Sequence, residues 1–148
     1  MSKTRIFLTG FAALFVAEAL AVLNHGFLLA ADYAPYYGTL LRGADSPGWQ
    51  TSLLTVGHAA FVGGLVWVYL RVGFAGSRVV RGLKLGLFGW IVGQVPLWLI
   101  WFAEQPWPNT LVVKQLVLEL ASSLIVGVTI AALARTSGQR EAAPLAHA

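Results

Sequence analysis

Residues 6–30 read IFLTGFAALFVAEALAVLNHGFLLA, and the fold turns on that run. A helix rising about 1.5 Å per residue crosses a hydrocarbon core of roughly 30 Å in about 20 residues, so the run has spanning length. Its apolar course is broken by Glu18, Asn24 and His25, side chains that hydrocarbon should reject. Three further apolar stretches of spanning length follow, at residues 50–71, 80–103 and 110–134. The connections carry turn and stop signals. Residues 31–49 contain Pro35, Gly38, Gly43, Pro47 and Gly48, residues 72–79 form a short link, and residues 104–109 contain Pro106 and Pro108.

The rest of the composition agrees with a membrane chain. Of its 148 residues 57% are hydrophobic and 11% charged, with a mean hydropathy of +0.72, which leaves too little polar surface for a water-soluble domain of this size. No cysteine is present, which excludes disulfides, thiol redox chemistry and cysteine-ligated metals or clusters. Six tryptophans and four tyrosines suit two membrane interfaces, where amphipathic rings settle at headgroup level.

Basic residues set the expected orientation. Lys3, Arg5, Arg71, Arg78, Arg81, Lys84, Arg135 and Arg140 fall on one side and only Arg42 on the other, a positive-inside bias that places both termini in the cytoplasm. The net charge of +4 and the pI near 9.9 follow from that asymmetry, so nucleic acid is not an expected partner. The basic start and the Ala19-Leu20-Ala21 stretch resemble a cleaved signal peptide. The apolar run outlasts a signal h-region, however, and a retained span is expected. The organisation predicted is all-α: one polytopic four-transmembrane-helix bundle over residues 1–135, then a disordered cytoplasmic tail over 136–148 in which His147 is solvated.

Six polar residues, Asn24, His25, His58, Gln94, Lys114 and Glu119, fall at similar depths in the outer half of that bundle. Counting from the expected span ends puts His25 roughly 8 Å deep, His58 roughly 12 Å, and Gln94 and Glu119 roughly 14 Å. Glu18 lies deeper, two turns from His25 on the same face, with no basic partner at its own depth, so it is expected to be protonated or to hold a cation or a histidinium. Gln115, Glu119 and Ser122 form one polar stripe and Thr51, Thr55 and His58 another; both should turn inward, with Gln94 and Glu119 directed at His25 and His58. Lys114 and Glu119 can pair with each other or with partners on other helices. Gly82, Gly86, Gly89, Gly93 and Pro96 make a small-residue seam for close helix approach, and Gly57, Ala60 and Gly64 a shorter one.

His25-Gly26 followed by Leu28-Leu29 and Tyr33, the Gly82 and Gly86 pair with Pro96 after it, and Gln105-Pro106 leading to Val113-Lys114-Gln115 resemble a widespread group of small four-span bacterial membrane proteins of unassigned function. The resemblance implies the architecture and a bacterial inner-membrane location, draws notice to His25, Tyr33, Lys114 and Gln115, and supplies no activity.

The principal reading of these residues is an outer-half pocket, opened from the outer side, that binds or passes a small polar or cationic ligand through Glu18, Asn24, His25, His58, Gln94, Lys114, Gln115 and Glu119. Tyr33 and Thr55 stand behind them. Three alternatives stay open. His25 and His58 can ligate a divalent metal or, as axial ligands, a b-type haem. A lipid- or isoprenoid-modifying enzyme can use Glu18 or Glu119 as acid and either histidine as base. An accessory or assembly subunit uses polar contacts only to set helix register. Membrane lipid and a second copy or another membrane protein are the expected partners. Tyr33, Tyr36, Tyr37 and Trp49 place the first connection at the outer surface, as an anchor or a lid over the pocket.

Overall fold

The computed structural model describes residues 2–42 and 48–134; the expected tail with His147, the 43–47 segment holding Gly43 and Pro47, and the side chains of Gln50 and Thr51 lie outside the described residues. Helix α1, Lys3–Leu23, starts at Ser2, whose hydroxyl accepts from the Arg5 N–H and so satisfies one of the free donors of the first turn. It runs on through a widened turn of π-helix, Asn24–Leu28, into the short α2, Ala30–Tyr33, and a single 3-10 turn, Ala34–Tyr36. Helix α3 is Gly48–Arg71. Helix α4, Arg78–Gly89, is capped by Ser77 and continues through a second π turn, Trp90–Gln94, into α5, Val95–Glu104. Pro106 and Pro108 separate α5 from α6, Asn109–Leu133.

Among the described residues four helical segments are long and apolar enough to cross a membrane: Lys3–Leu28, Ser52–Arg71, Arg78–Glu104 and Asn109–Leu133. They match the expected runs to within two or three residues. The third differs in kind, because it is two α-helices joined by a π turn. Pro96 explains that turn: it has no N–H to donate, and its ring crowds the carbonyl of Val92 four residues earlier. The Val95 N–H accordingly reaches Trp90, five residues back. The first π turn contains no proline. There the Leu29 N–H bonds the Asn24 carbonyl at 2.8 Å while the Asn24 side chain is tied to Ser122 on α6.

Helix α6 is the common neighbour, touching α1, α3, α4 and α5. Its closest approach is to α4. A methyl group added at Gly86 would overlap the Ser123 carbonyl, one at Gly82 the Val128 backbone, and one at Gly127 the Gly82 carbonyl, so the two backbones lie against each other there. Gly89 and Gly93 turn instead to Phe61 and Leu65 of α3, and Pro96 is exposed, so the expected seam serves two neighbours in succession. Among the described residues the shorter seam on α3 packs against nothing: Gly57 and Gly64 face open space and Ala60 is exposed.

Two apolar clusters result. Ala13, Val62, Leu65, Leu85, Val126 and Ile130 fill the half nearer the basic chain ends, and Leu29, Tyr33, Trp107, Leu111 and Val112 the other end. Along α1 and α6 the polar layer lies between them. Because the α4–α6 contact has no spare volume, Gly86→Val is expected to cost about 2 kcal/mol or more, as overpacked cores do, and Gly64→Val less than about 0.5 kcal/mol. Thermal unfolding of the two purified variants in one detergent measures the difference.

Candidate functional site

Two histidine–glutamate pairs organise the polar layer. Glu18 Oε1 lies 3.1 Å from His58 Nδ1, joining α1 to α3. The partner that Glu18 lacks by sequence counting is therefore His58. The count fails because the first span, its π turn included, ends at Leu28 and α3 begins at Gly48, both about two residues from the expected ends. Measured from those ends, both residues lie ten positions in, or about 15 Å.

The second pair is built around an amide. Gln115 on α6 is only 1% exposed, and such an amide must find partners for both of its ends. Its Oε1 accepts from the Tyr33 hydroxyl at 2.8 Å, and its Nε2 donates to Glu119 Oε1 at 2.8 Å and faces His25 Nε2 at 3.4 Å. His25 Nε2 is in turn 3.5 Å from Glu119 Oε1. Gln115 and Glu119, four residues apart, share a face of α6 and so meet. The His25 ring stacks on Tyr33 with centroids 5.7 Å apart, and Trp107 meets Tyr33 edge-on at 6.3 Å. Burial, and then the Glu119 charge, push the Tyr33 phenol above its ordinary pKa, so it remains a neutral donor to Gln115.

Lys114 does not belong to this constellation. Five residues separate it from Glu119, which turns the two side chains to different faces of α6. Its ammonium instead grips both oxygens of Asp32, at 2.7 and 2.9 Å. Asp32 was not among the expected site residues; its place just beyond the first span, level with the start of α6, was the available signal.

A cavity of about 30 Å³ lies between α1, α3, the Trp90–Gln94 turn and α6. Its polar wall is Asn24, His58, Gln94, Glu119, Ser122 and Ser123; Ala17, Ala21, Phe61 and Val126 complete it. Asn24 Nδ2 donates to Ser122 Oγ at 2.9 Å, and the Trp90 indole donates to the Leu116 carbonyl at 2.9 Å, which anchors the π turn that presents Gln94. One water needs roughly 10–15 Å³ on this measure, so the cavity accommodates about two water molecules.

The expected residues thus divide. His58, Gln94, Glu119 and Asn24 share the cavity wall. Glu18 stands behind His58 rather than deeper along a path, and Gln115 and His25 stand behind Glu119. Thr55 is exposed and Lys114 is bound to Asp32. The two histidines belong to different pairs, His25 with α6 and His58 with α1, and His25 does not line the cavity. Among the described residues no three His, Asp or Glu side chains converge as metal ligands.

Removing the Tyr33 hydroxyl leaves the Gln115 carbonyl buried without its donor, so Tyr33→Phe is expected to lose about 1–3 kcal/mol, more than Tyr36→Phe at the same surface. Because the folded-state pKa is raised, the stability owed to the neutral phenol is complete below the ordinary value of 10.0 and is lost as pH climbs toward the raised one. Alkaline unfolding should accordingly be shallower in the phenylalanine variant, read by denaturation at pH 8 and pH 11. No family model matches the chain, and no curated protein or solved structure matches it either.

Proposed function

We propose that the chain is a multi-pass protein of a bacterial inner membrane, both termini cytoplasmic, whose polar layer binds a small cation or proton together with water. The observation that carries this reading is the cavity wall itself: Glu119, Gln94, Ser122 and Asn24 offer oxygen atoms, and His58 offers an imidazole already paired with a carboxylate. Oxygen donors of this kind suit a hard cation or a hydronium ion. With Nδ1 turned to Glu18, His58 keeps Nε2 for the cavity, and the carboxylate behind it orients the ring.

Size narrows the ligand. About 30 Å³ is the room of an ion or two waters, which favours a small ligand. The cluster around Leu85, Val126 and Ile130 lies on one side of the layer and that of Tyr33, Trp107 and Leu111 on the other, while the cavity between them is partly open at the surface.

The test is a cation series on the purified protein. Li⁺, Na⁺ or K⁺ is expected to raise the unfolding temperature at pH 8, and at 100 times its dissociation constant a single-site ligand stabilises by about 2.7 kcal/mol. Glu119→Gln should abolish the effect. If no cation stabilises the wild type, or if Glu119→Gln is stabilised equally, the reading fails.

A further inference from the structure

The Glu18–His58 pair stands at mid-span, yet each side chain remains 33% exposed. On α1, Glu18 shares a face with Phe7, Phe11, Phe15 and Val22. The spacing is four, four, three and four residues, close to the 3.5-residue period of helices that pack along a common seam. The three phenylalanines are 70%, 62% and 72% exposed. An apolar face alone would be at home in lipid. This one carries an ionisable pair at its centre, and hydrocarbon offers that pair neither charge nor hydrogen bond.

We infer that a second copy of the chain covers this face, with α1 packed along its counterpart about a two-fold axis parallel to the membrane normal. Symmetry supplies the complementarity. About that axis the two Glu18–His58 pairs meet at one depth, so that two carboxylates and two imidazoles form a single polar patch enclosed between the copies. An unrelated partner would have to provide an acid and a base at matching depth; a second copy has them already. Phe11, Phe15 and Val22 become knobs of the seam, and the polar pair at its centre fixes register, as a single polar position does in coiled coils. The arrangement deepens the proposed binding site, because His58 lines the cavity and Glu18 behind it is shielded from lipid only when the second copy is present. It rests on membrane insertion of α1 and not on the identity of the ligand.

The chain has no cysteine, so single cysteines report the interface without background. In native membranes of cells producing the full chain, Phe15→Cys and Val22→Cys are expected to give disulfide-linked dimers on mild oxidation. Leu99→Cys on α5 and Ile125→Cys on α6, both exposed, are expected to give none. Adding Glu18→Ala or His58→Ala to Val22→Cys should lower the dimer yield about threefold to tenfold, the range expected for polar contacts between membrane helices. All four cysteine positions are surface positions, so folding is preserved. The inference is overturned if cross-links form equally at Leu99 or Ile125, if Phe15 and Val22 link only to a different protein, or if native mass spectrometry from lipid nanodiscs finds monomer alone. A monomer that still binds cations would refute the interface and leave the proposed function standing.

Discussion

Hydrocarbon forms no hydrogen bonds, so every polar side chain carried at mid-span must be answered by a neighbouring helix. The layer between the two apolar clusters follows from that constraint. Gln115 answers Tyr33, Glu119 and His25; Ser122 answers Asn24; Glu18 answers His58. Each of these ties runs between helices or within one face of α6, and together they fix how α1, α3 and α6 are rotated. The α4–α6 contact supplies something different. It brings two backbones together through glycine, gaining dispersion contact without directional bonding, and it holds the Trp90–Gln94 turn where Gln94 meets the cavity.

Much of the fold was legible in the sequence because length and apolarity are local properties. The four runs, the proline-marked connections and the Gly82–Gly86 seam all appear from residues close together in the chain. The site was legible in composition but only partly in pairing. Gln115 and Glu119 could be placed on one face because they share a helix. The Glu18–His58 contact could not be read, since a two-residue shift at each of two helix ends moves the relative depth by about 6 Å. The same uncertainty hid Asp32 as the partner of Lys114. Whether His25 and His58 would meet depended on helix rotation, which no spacing within one helix determines. The second seam is instructive in the opposite sense: Gly57, Ala60 and Gly64 have the spacing of a packing surface but no neighbour among the described residues.

The distribution of roles around the cavity separates contact from support. His58, Glu119, Gln94 and the hydroxyl of Ser122 present atoms to whatever occupies it. Glu18, Gln115 and Tyr33 act one step removed, through the imidazole or carboxylate they hold. Aromatic packing of Trp107 and His25 on Tyr33 stiffens that support, and it also closes the end of the layer away from the basic residues. Electrostatics, rigidity and closure are thus carried by overlapping sets of residues.

The two π turns limit how the length of this protein can vary. Deleting one residue from an α-helix rotates everything after it by about 100°, which here would turn one member of each polar contact toward lipid. A π turn already holds one residue more than an α turn, so a deletion within Asn24–Leu28 restores ordinary helix and leaves both flanks in register. At Trp90–Gln94 the same deletion leaves Pro96 in place, and the interruption persists. The first turn also presents Asn24 and His25, so a homologue one residue shorter there would retain the architecture while changing the lining of its cavity.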